Sequence, residues 1–446
     1  MKKEEITLKE KVGIMSKKFL ELSRDKDVLV LSHFDTDGIT SAAIMIKTLK
    51  HLGKNFSVKI LKNLEEQHIR DLPKNKLIIF LDLASGSLNY IANSKIENIF
   101  ILDHHEIVQD IPENVCMLNP QLHKKEKISS AGLTYLFCRE LAHTIHGLAK
   151  LAVIGMIGDM MEKNLDKINN KILEESEAIK KRGLLIYPAT RPLNRTLEFS
   201  SNPYIPGVTG DSYGVTKLLR DAGLTHKEGK YPSLIELNPD EMSNLITSIM
   251  LRHPKITNNT DIIGDIFLVK FFNKLEDARE LSAMINACSR LGESQVALQF
   301  CLEIPSAKKR AEVLYAKYKR LIISGLDLVS KIQKVEGGGF VIINTKSGVK
   351  DTIVGTIASI LSNSKVYEPG TIIVTMAYSG NKIKVSARSV SRQGRNVRNV
   401  LHGVVSKIGG EVGGHEFAAG CLINKDKEEE FIKNLKENLE IELVKI

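Results

Sequence analysis

The sequence predicts an α/β protein: an N-terminal parallel-sheet domain, a helical connection and a smaller C-terminal α/β domain. Three observations predict it. The first third alternates short apolar runs with amphipathic segments of helical period, the pattern of parallel strands joined by crossover helices. Three of the four leading strand runs lead at their C-terminal edges into acids: Asp35 and Asp37, then Asp82, then Asp103. After a long helical stretch, "EGGGF" (Glu336 to Phe340) breaks the helix and the alternation resumes on a smaller scale. At 446 residues the chain exceeds the roughly 250 to 300 at which single cores stop growing, so several domains are expected, at 1–200, 201–335 and 336–446.

In order, "DVLVLSH" (Asp27 to His33) reads as a strand, "TSAAIMIKTLKHLG" (Thr40 to Gly53) as an amphipathic helix, and "FSVKIL", "KLIIFLDLA" and "NIFILDHH" as further strands. From about Ile172 to Pro203 the pattern turns to charged helix and loop. "SNPYIPGVTG" (Ser201 to Gly210) gathers turn formers and reads as a connection. A helical middle follows, with apolar residues at three-to-four spacing in Asp277 to Ile304 and in Ser306 to Val335, the second long enough to be a connecting helix. The last domain is expected to hold strands "FVIINT", "TIIVTMAY" and "KIKVSAR", a helix around "TIVGTIASILSNS" and a final helix in "KDKEEEFIKNLKENLEIEL".

Composition narrows the classes. Apolar residues at 43% and charged residues at 26% are those of a globular protein. The five cysteines, Cys116, Cys138, Cys288, Cys301 and Cys421, lack metal-knuckle spacing and suggest no disulfide framework, which points to a reducing cytoplasm. The N-terminal "MKKEEITLKEKV" mixes acids with bases ahead of no apolar core, and no stretch reaches the roughly 18 apolar residues of a membrane span, so no membrane partner is expected. A net charge of +10 admits an anionic partner, nucleic acid first, without requiring one.

The chemistry gathers at the strand ends. "SHFDTDG" (Ser32 to Gly38) sets His33, Asp35 and Asp37 within five residues, and clustered carboxylates are tolerated when a cation neutralises them. His with Asp and without Cys suits Mn²⁺ or Mg²⁺. The spacing also suits a plain helix start, with Asp35 as cap and Asp37–Gly38 as turn, although that leaves His33 unexplained. Asp82 in "IIFLDLASGS" is compatible with a cap too, while "ILDHHE" places Asp103, His104 and His105 at another strand end, and "AVIGMIGDMM" ends an apolar segment in Asp159. Ligands in open α/β sheets collect beyond the carboxyl ends of the strands, so one site is expected to gather these separated residues.

These segments resemble the HxDxDG, strand-end Asp, DHH and GD motifs of the DHH phosphoesterase superfamily. "GGEVGGHEFAAGC" (Gly409 to Cys421) is similar to the GGHxxAAG signature of the DHH-associated domain, and "KVSARSV" (Lys384 to Val390) to the SxRS strand before it. "SAMINACSRLGESQVAL" (Ser282 to Leu298) resembles the NAxxRLG segment of RecJ-type exonucleases, and "IVGTIASIL" (Ile353 to Leu361) their GIVAS helix. Residues 421–446 are too few for the oligonucleotide-binding barrel of bacterial RecJ, so the short archaeal form is the nearer likeness.

The resemblance implies one metal on His33, Asp35 and Asp82 and a second on Asp37, Asp82, His104 and Asp159, with Asp82 bridging. It implies Asp103 as an orienting group and His105 facing the scissile phosphate. The activity implied is metal-dependent, single-strand-specific exonucleolysis of DNA or RNA in replication or repair, in a cleft between the catalytic and associated domains. Other branches imply cleavage of short oligoribonucleotides or cyclic dinucleotides, and a eukaryotic replicative-helicase relative implies a replisome scaffold. Substrate contacts are expected from Ser386, Arg388, Gly413, Gly414 and His415. Lys382, Lys384, Arg388, Arg392, Arg395, Arg398 and Lys407 form an acid-free basic stretch that reads either as a solvated face or as a strand-tracking wall built on Arg392, Arg395 and Arg398. Tyr187 to Ile263, the least matched region, is where partner binding is expected, or else a plain linker subdomain, and the resemblance to archaeal relatives implies the GINS replication complex as a candidate partner.

Overall fold

The structure is a computed structural model that describes residues 6–94, 96–107, 109–123, 126–163, 165–200, 205–226, 229–252, 262–364 and 366–441. Residues 1–5, 201–204 of the expected connection, 253–261 of the least matched region and the last expected helix beyond 441 lie outside the described residues. Two compact units form, one within Met1–Thr196, His226–Met242 and Asn259–Tyr315, the other within Leu197–Thr225, Ser243–Asn258 and Ala316–Ile446. Among the described residues no helix is long and apolar enough to cross a membrane.

In the first unit, β1 (Val28–His33), β2 (Phe56–Leu61), β3 (Leu77–Leu81), β4 (Ile99–Leu102) and β5 (Val115–Leu118) form one sheet in the order β2-β1-β3-β4-β5. All pairs are parallel. β3 and β4 are buried on both faces, which is why they read as unbroken apolar runs rather than alternating ones. The chain leaves β1 for β2 on one side and returns to β3 on the other, so strand order reverses between β1 and β3 and opens a crevice at their carboxyl ends. His33 closes β1, Asp82 follows β3 and Asp103 follows β4.

The helix Thr36–His51 is buried nearly all round, as its Ala42–Ile46 run requires. Helices Ser130–Leu141 and Ala149–Gly158 pack on it. Gly155 allows that approach, since a Cβ there would stand 2.5 Å from Ala131 Cβ and 2.6 Å from Asp37 Oδ1. Helix Leu8–Leu22 sets Phe19 edge-on to Phe100 and Phe137 at 5.3 and 5.5 Å.

An antiparallel sheet of β6 (Ile179–Leu184), β7 (Ile263–Phe271) and β8 (Lys274–Asp277) was not among the expected strands. The stretch read as charged helix and loop supplies the helix Lys167–Glu175 and then β6. The first four residues of β6 are exposed, so "IKKRGL" carries no alternation to betray a strand. The edge is held instead by pairing with β7 and by Lys180, whose Nζ lies 2.8 Å from Asp265.

In the second unit, β9 (Val335–Gly337), β10 (Phe340–Asn344), β11 (Ile372–Ser379), β12 (Lys382–Ser389), β13 (Glu411–His415) and β14 (Ala418–Asn424) run in the order β13-β14-β12-β11-β10-β9. Only β10 and β11 pair in parallel. Alternation along β12 sends Ile383, Val385 and Ala387 into a core with Leu401, Val404, Phe431 and Leu435. Lys384, Ser386 and Arg388 take the other face, where helix Asp351–Asn363 packs.

Candidate functional site

The cluster is built by helix starts and strand ends. Asp35 caps the helix Thr36–His51 by accepting the Gly38 N–H at 3.0 Å, and its Oδ2 lies 3.0 Å from His33 Nδ1. Cap and ligand readings of this segment are therefore compatible. Gly38 is required because a Cβ would fall 2.4 Å from the His33 carbonyl oxygen. Asp37 points inward from the same first turn. Its two oxygens accept the N–H groups of Ser130 and Ala131 at 2.7 and 3.0 Å, so the start of the next helix holds it.

Asp82 adopts a left-handed backbone with φ 58°, a conformation that Asp tolerates better than most residues and that turns its carboxylate into the crevice. Its Oδ2 lies 3.3 Å from His33 Nδ1, and its Oδ1 accepts the Ser130 hydroxyl at 3.0 Å. His104 Nε2 stands 3.2 Å from Asp159 Oδ2, 3.6 Å from Asp82 Oδ1 and 4.0 Å from Asp37 Oδ2. Asp103 is turned the other way. Its Oδ1 accepts His105 Nδ1–H at 2.8 Å and the backbone N–H groups of His104 and His105 at 2.8 and 3.2 Å, and its Oδ2 accepts that of Ser85 at 3.0 Å.

Burial and mutual repulsion act on the three inward carboxyls. Burial pushes Asp82 well above the usual range, and the charges of Asp35 and Asp37 add to it. Asp159 is raised in the same way by burial, Asp37 and Asp82. Asp37 is also raised, because burial and Asp35 outweigh the pull of His104. Asp35 and Asp103 go down despite burial, the first through His33 and the Gly38 N–H, the second through His105, His104 and Ser85. The adjacent histidines divide: burial and the neighbouring charge of His105 lower His104, whereas Asp103 overcomes burial and lifts His105 to about 9. The two rings are thus pushed in opposite directions, His104 toward the neutral form and His105 toward the protonated one.

This donor set suits divalent cations. Three groups have ligand atoms within 4.8 Å of one another: His33, Asp35 and Asp82; Asp37, His104 and Asp159; and Asp82, His104 and His105. The buried Asp159 Oδ2 has no aligned hydrogen-bond donor among the described residues. Clustered carboxylates with imidazoles and no sulfur suit a hard cation between them.

In the second unit Ser386 and Arg388 lie two apart on one face of β12, opposite the start and end of the Ala418–Gly420 stretch. Arg388 Nε donates to Ser359 Oγ at 3.1 Å, and Nη1 donates to the carbonyls of Ala387 and Ala419 at 2.8 and 3.3 Å. Gly413, Gly414 and His415 form the exposed end of β13. Gly414 has φ 115° and a Cβ there would meet the Ala418 oxygen at 2.4 Å, whereas a Cβ on Gly413 would meet only open space. Arg392 is exposed, with Arg395 and Arg398 half-buried. Arg395 Nη1 donates to the Leu439 carbonyl at 2.7 Å, so the structure ties that side chain to the final helix.

Sequence reading missed Ser129 to Ala131, whose donors hold Asp37 and Asp82. The available signal was "SSAG", a capping serine ahead of an apolar helix. It also missed Ser359 and Gly355 behind Arg388; a Cβ on Gly355 would come 3.1 Å from Ser386 Oγ.

Comparison with known proteins decides the family. Residues 27–158 match the DHH family, N-terminal domain; 187–263 match the DHH-CID domain; 337–440 match the DHHA1 domain. An uncharacterized protein of Methanocaldococcus jannaschii is 31% identical over 428 residues, 92% of each chain. The chain belongs to the DHH family. Its fold is also shared by solved structures. RecJ of Thermus thermophilus with Mn²⁺ superposes with TM-score 0.61 at 19% identity, over 96% of this chain and 54% of that one, so this chain spans about half that RecJ's length. CDC45 of Entamoeba histolytica superposes with TM-score 0.65 at 11% identity, over 96% of this chain and 99% of that one. The DHH triplet that names the family is here Asp103, His104 and His105.

Proposed function

We propose that this DHH protein is a metal-dependent phosphodiesterase acting as a single-strand exonuclease on DNA or RNA. The observation that carries the reading is the set of three ligand groups gathered beyond the carboxyl ends of β1, β3 and β4, with Asp37 added from the start of the Thr36–His51 helix and Asp159 from the end of the Ala149–Gly158 helix. His33, Asp35 and Asp82 would hold one Mn²⁺ or Mg²⁺, and Asp37, Asp82, His104 and Asp159 a second. Such a pair of cations, when bound, lowers the pKa of an attacking water and stabilises the leaving oxygen.

The protein's own groups do the rest. Asp82 presents Oδ2 toward His33 and Oδ1 toward His104, so it would serve both cations. The downward shift of His104 favours a free lone pair for coordination. His105, clasped through Nδ1–H by Asp103, offers fixed positive charge to a phosphate. Ser386, Arg388, Gly413, Gly414 and His415 would take a phosphate of the strand. The fork of Arg388 is oriented by Ser359, and Gly413 leaves room for close backbone approach. Arg392 and Arg398 would follow further phosphates, with Arg395 contributing less because of its bond to Leu439.

The test uses the full chain with 5′- and 3′-labelled DNA and RNA strands, from dinucleotides to icosanucleotides, with Mn²⁺, Mg²⁺ or chelator. Stepwise, cation-dependent release of mononucleotides from one end of long single strands is expected. Cleavage of dinucleotides alone would replace the exonuclease with a small-nucleotide phosphodiesterase, and no hydrolysis under any condition would overturn the enzymatic reading.

A further inference from the structure

We infer that Asn286 and Ser282, on the helix Ala278–Arg290, are positioning residues that fix the loop carrying Asp35 and Asp37. The inference rests on the reading of that loop as a cation site. Thr36 lies between the two acids and is almost fully buried. As the first residue of its helix it has a backbone N–H with no intrahelical acceptor, and the cap Asp35 satisfies Gly38 instead. Asn286 Oδ1 accepts that orphan N–H at 3.1 Å. The Thr36 hydroxyl donates to the Ser282 carbonyl at 2.9 Å, and the Ser282 hydroxyl lies 3.3 Å from it.

The junction reaches a third ligand. A Cβ on Gly158, next to Asp159, would come within 2.8 Å of Thr36 Cβ and 3.5 Å of Ser282 Oγ. One contact point therefore sets the start of the Thr36 helix, which aims Asp35 and Asp37, against the end of the Ala149–Gly158 helix, which aims Asp159. The strut comes from 250 residues away in sequence, as an added cap that the local segment cannot supply. An external acceptor at the one residue between the two acids fixes the loop from outside. Groups that orient ligands typically contribute about 10 to 100-fold in metal affinity.

The experiment measures Mn²⁺ binding to the full chain by calorimetry, alongside metal-free melting. Asn286→Ala should weaken Mn²⁺ binding by about 10-fold or more, with a melting change no larger than that of Ser16→Ala. Ser16 donates to the Phe137 carbonyl away from the cluster and serves as the stability control. Asn286→Asp keeps an acceptor oxygen at the same reach and should retain affinity within a few-fold. Unchanged Mn²⁺ affinity in Asn286→Ala, equal weakening in Ser16→Ala, or equal loss in Asn286→Ala and Asn286→Asp would overturn the inference. Wild-type protein that takes up no Mn²⁺ would overturn the metal reading itself and the inference with it.

Discussion

The acidic cluster of the first unit and the basic strand of the second are specified by opposite means. Around Asp82, three of the carboxyls are held by backbone donors, Ser130 and Ala131 on Asp37, Gly38 on Asp35 and Ser85 on Asp103, and Asp82 itself by the Ser130 hydroxyl. Around Arg388 the holding groups include a serine hydroxyl and two strand carbonyls, and Arg392 and His415 stand exposed. A site that must fix cations needs positions set by parts that do not move, whereas one that takes a repeating polyanion needs charge and clearance. The first should therefore fail steeply on single substitutions and respond to pH, and the second should fail gradually and respond to salt.

The largest expected break lies within the cluster. His104→Ala removes a proposed ligand and should bring hydrolysis to background, while Asp103→Asn, which weakens the clasp on His105 and the backbone bonds beside it, should cost about 10 to 100-fold. Turnover measured under saturating Mn²⁺ checks this. Equal and total losses would place Asp103 among the ligands rather than behind them.

A smaller effect should appear on the basic side. If Arg392 and Arg398 meet phosphates, two contacts at about 0.7 each should flatten the plot of log affinity against log salt by about 1.4 when both become Gln. Arg395→Gln should change the slope least. Binding of a single-stranded icosanucleotide over a salt series, with catalysis silenced by Asp82→Asn, measures it. An unchanged slope would remove these arginines from the strand path.

The smallest effect is on stability. Asp37, Asp82 and Asp159 have folded pKa values raised above the ordinary carboxylate value, so the stability they contribute is complete below that range and lost as pH rises through the raised values. Asp35 and Asp103 are depressed and act in the opposite sense, losing their contribution only as pH falls below the ordinary range. Metal-free protein should thus melt lower at about pH 8 than at about pH 5 to 6, with a Mn²⁺ increment that widens as pH rises. Asp159→Asn should flatten both trends, and melting that ignores pH and Mn²⁺ alike would show that the carboxyls do not repel.

The same contrast explains what the sequence made legible. His33, Asp35, Asp82 and the Asp103–His105 triplet follow apolar runs directly, so local pattern located them and the strand-end rule gathered them. Ser130 and Asn286 act from 93 and 250 residues away, through a backbone N–H and a single amide oxygen, and such bonds leave no periodic trace. β6 escaped because an exposed edge strand has no buried face to impose alternation. The attachment of Arg395 to Leu439 was hidden for a related reason: nothing local in a run of arginines marks that the fold brings the Leu439 carbonyl to this side chain.

The central claim, that the cluster around Asp82 performs metal-dependent phosphodiester hydrolysis, is tested most directly by titrating Mn²⁺ into metal-stripped wild-type protein and Asp82→Asn while following release from a labelled single-stranded icosanucleotide. Asn suits the left-handed backbone that Asp82 adopts, so the substitution removes the charge without straining the turn. Wild-type protein should be silent without cation and gain activity with Mn²⁺, and the variant should stay at background at every concentration. Hydrolysis by the stripped wild-type protein, or wild-type turnover by Asp82→Asn, would contradict the account.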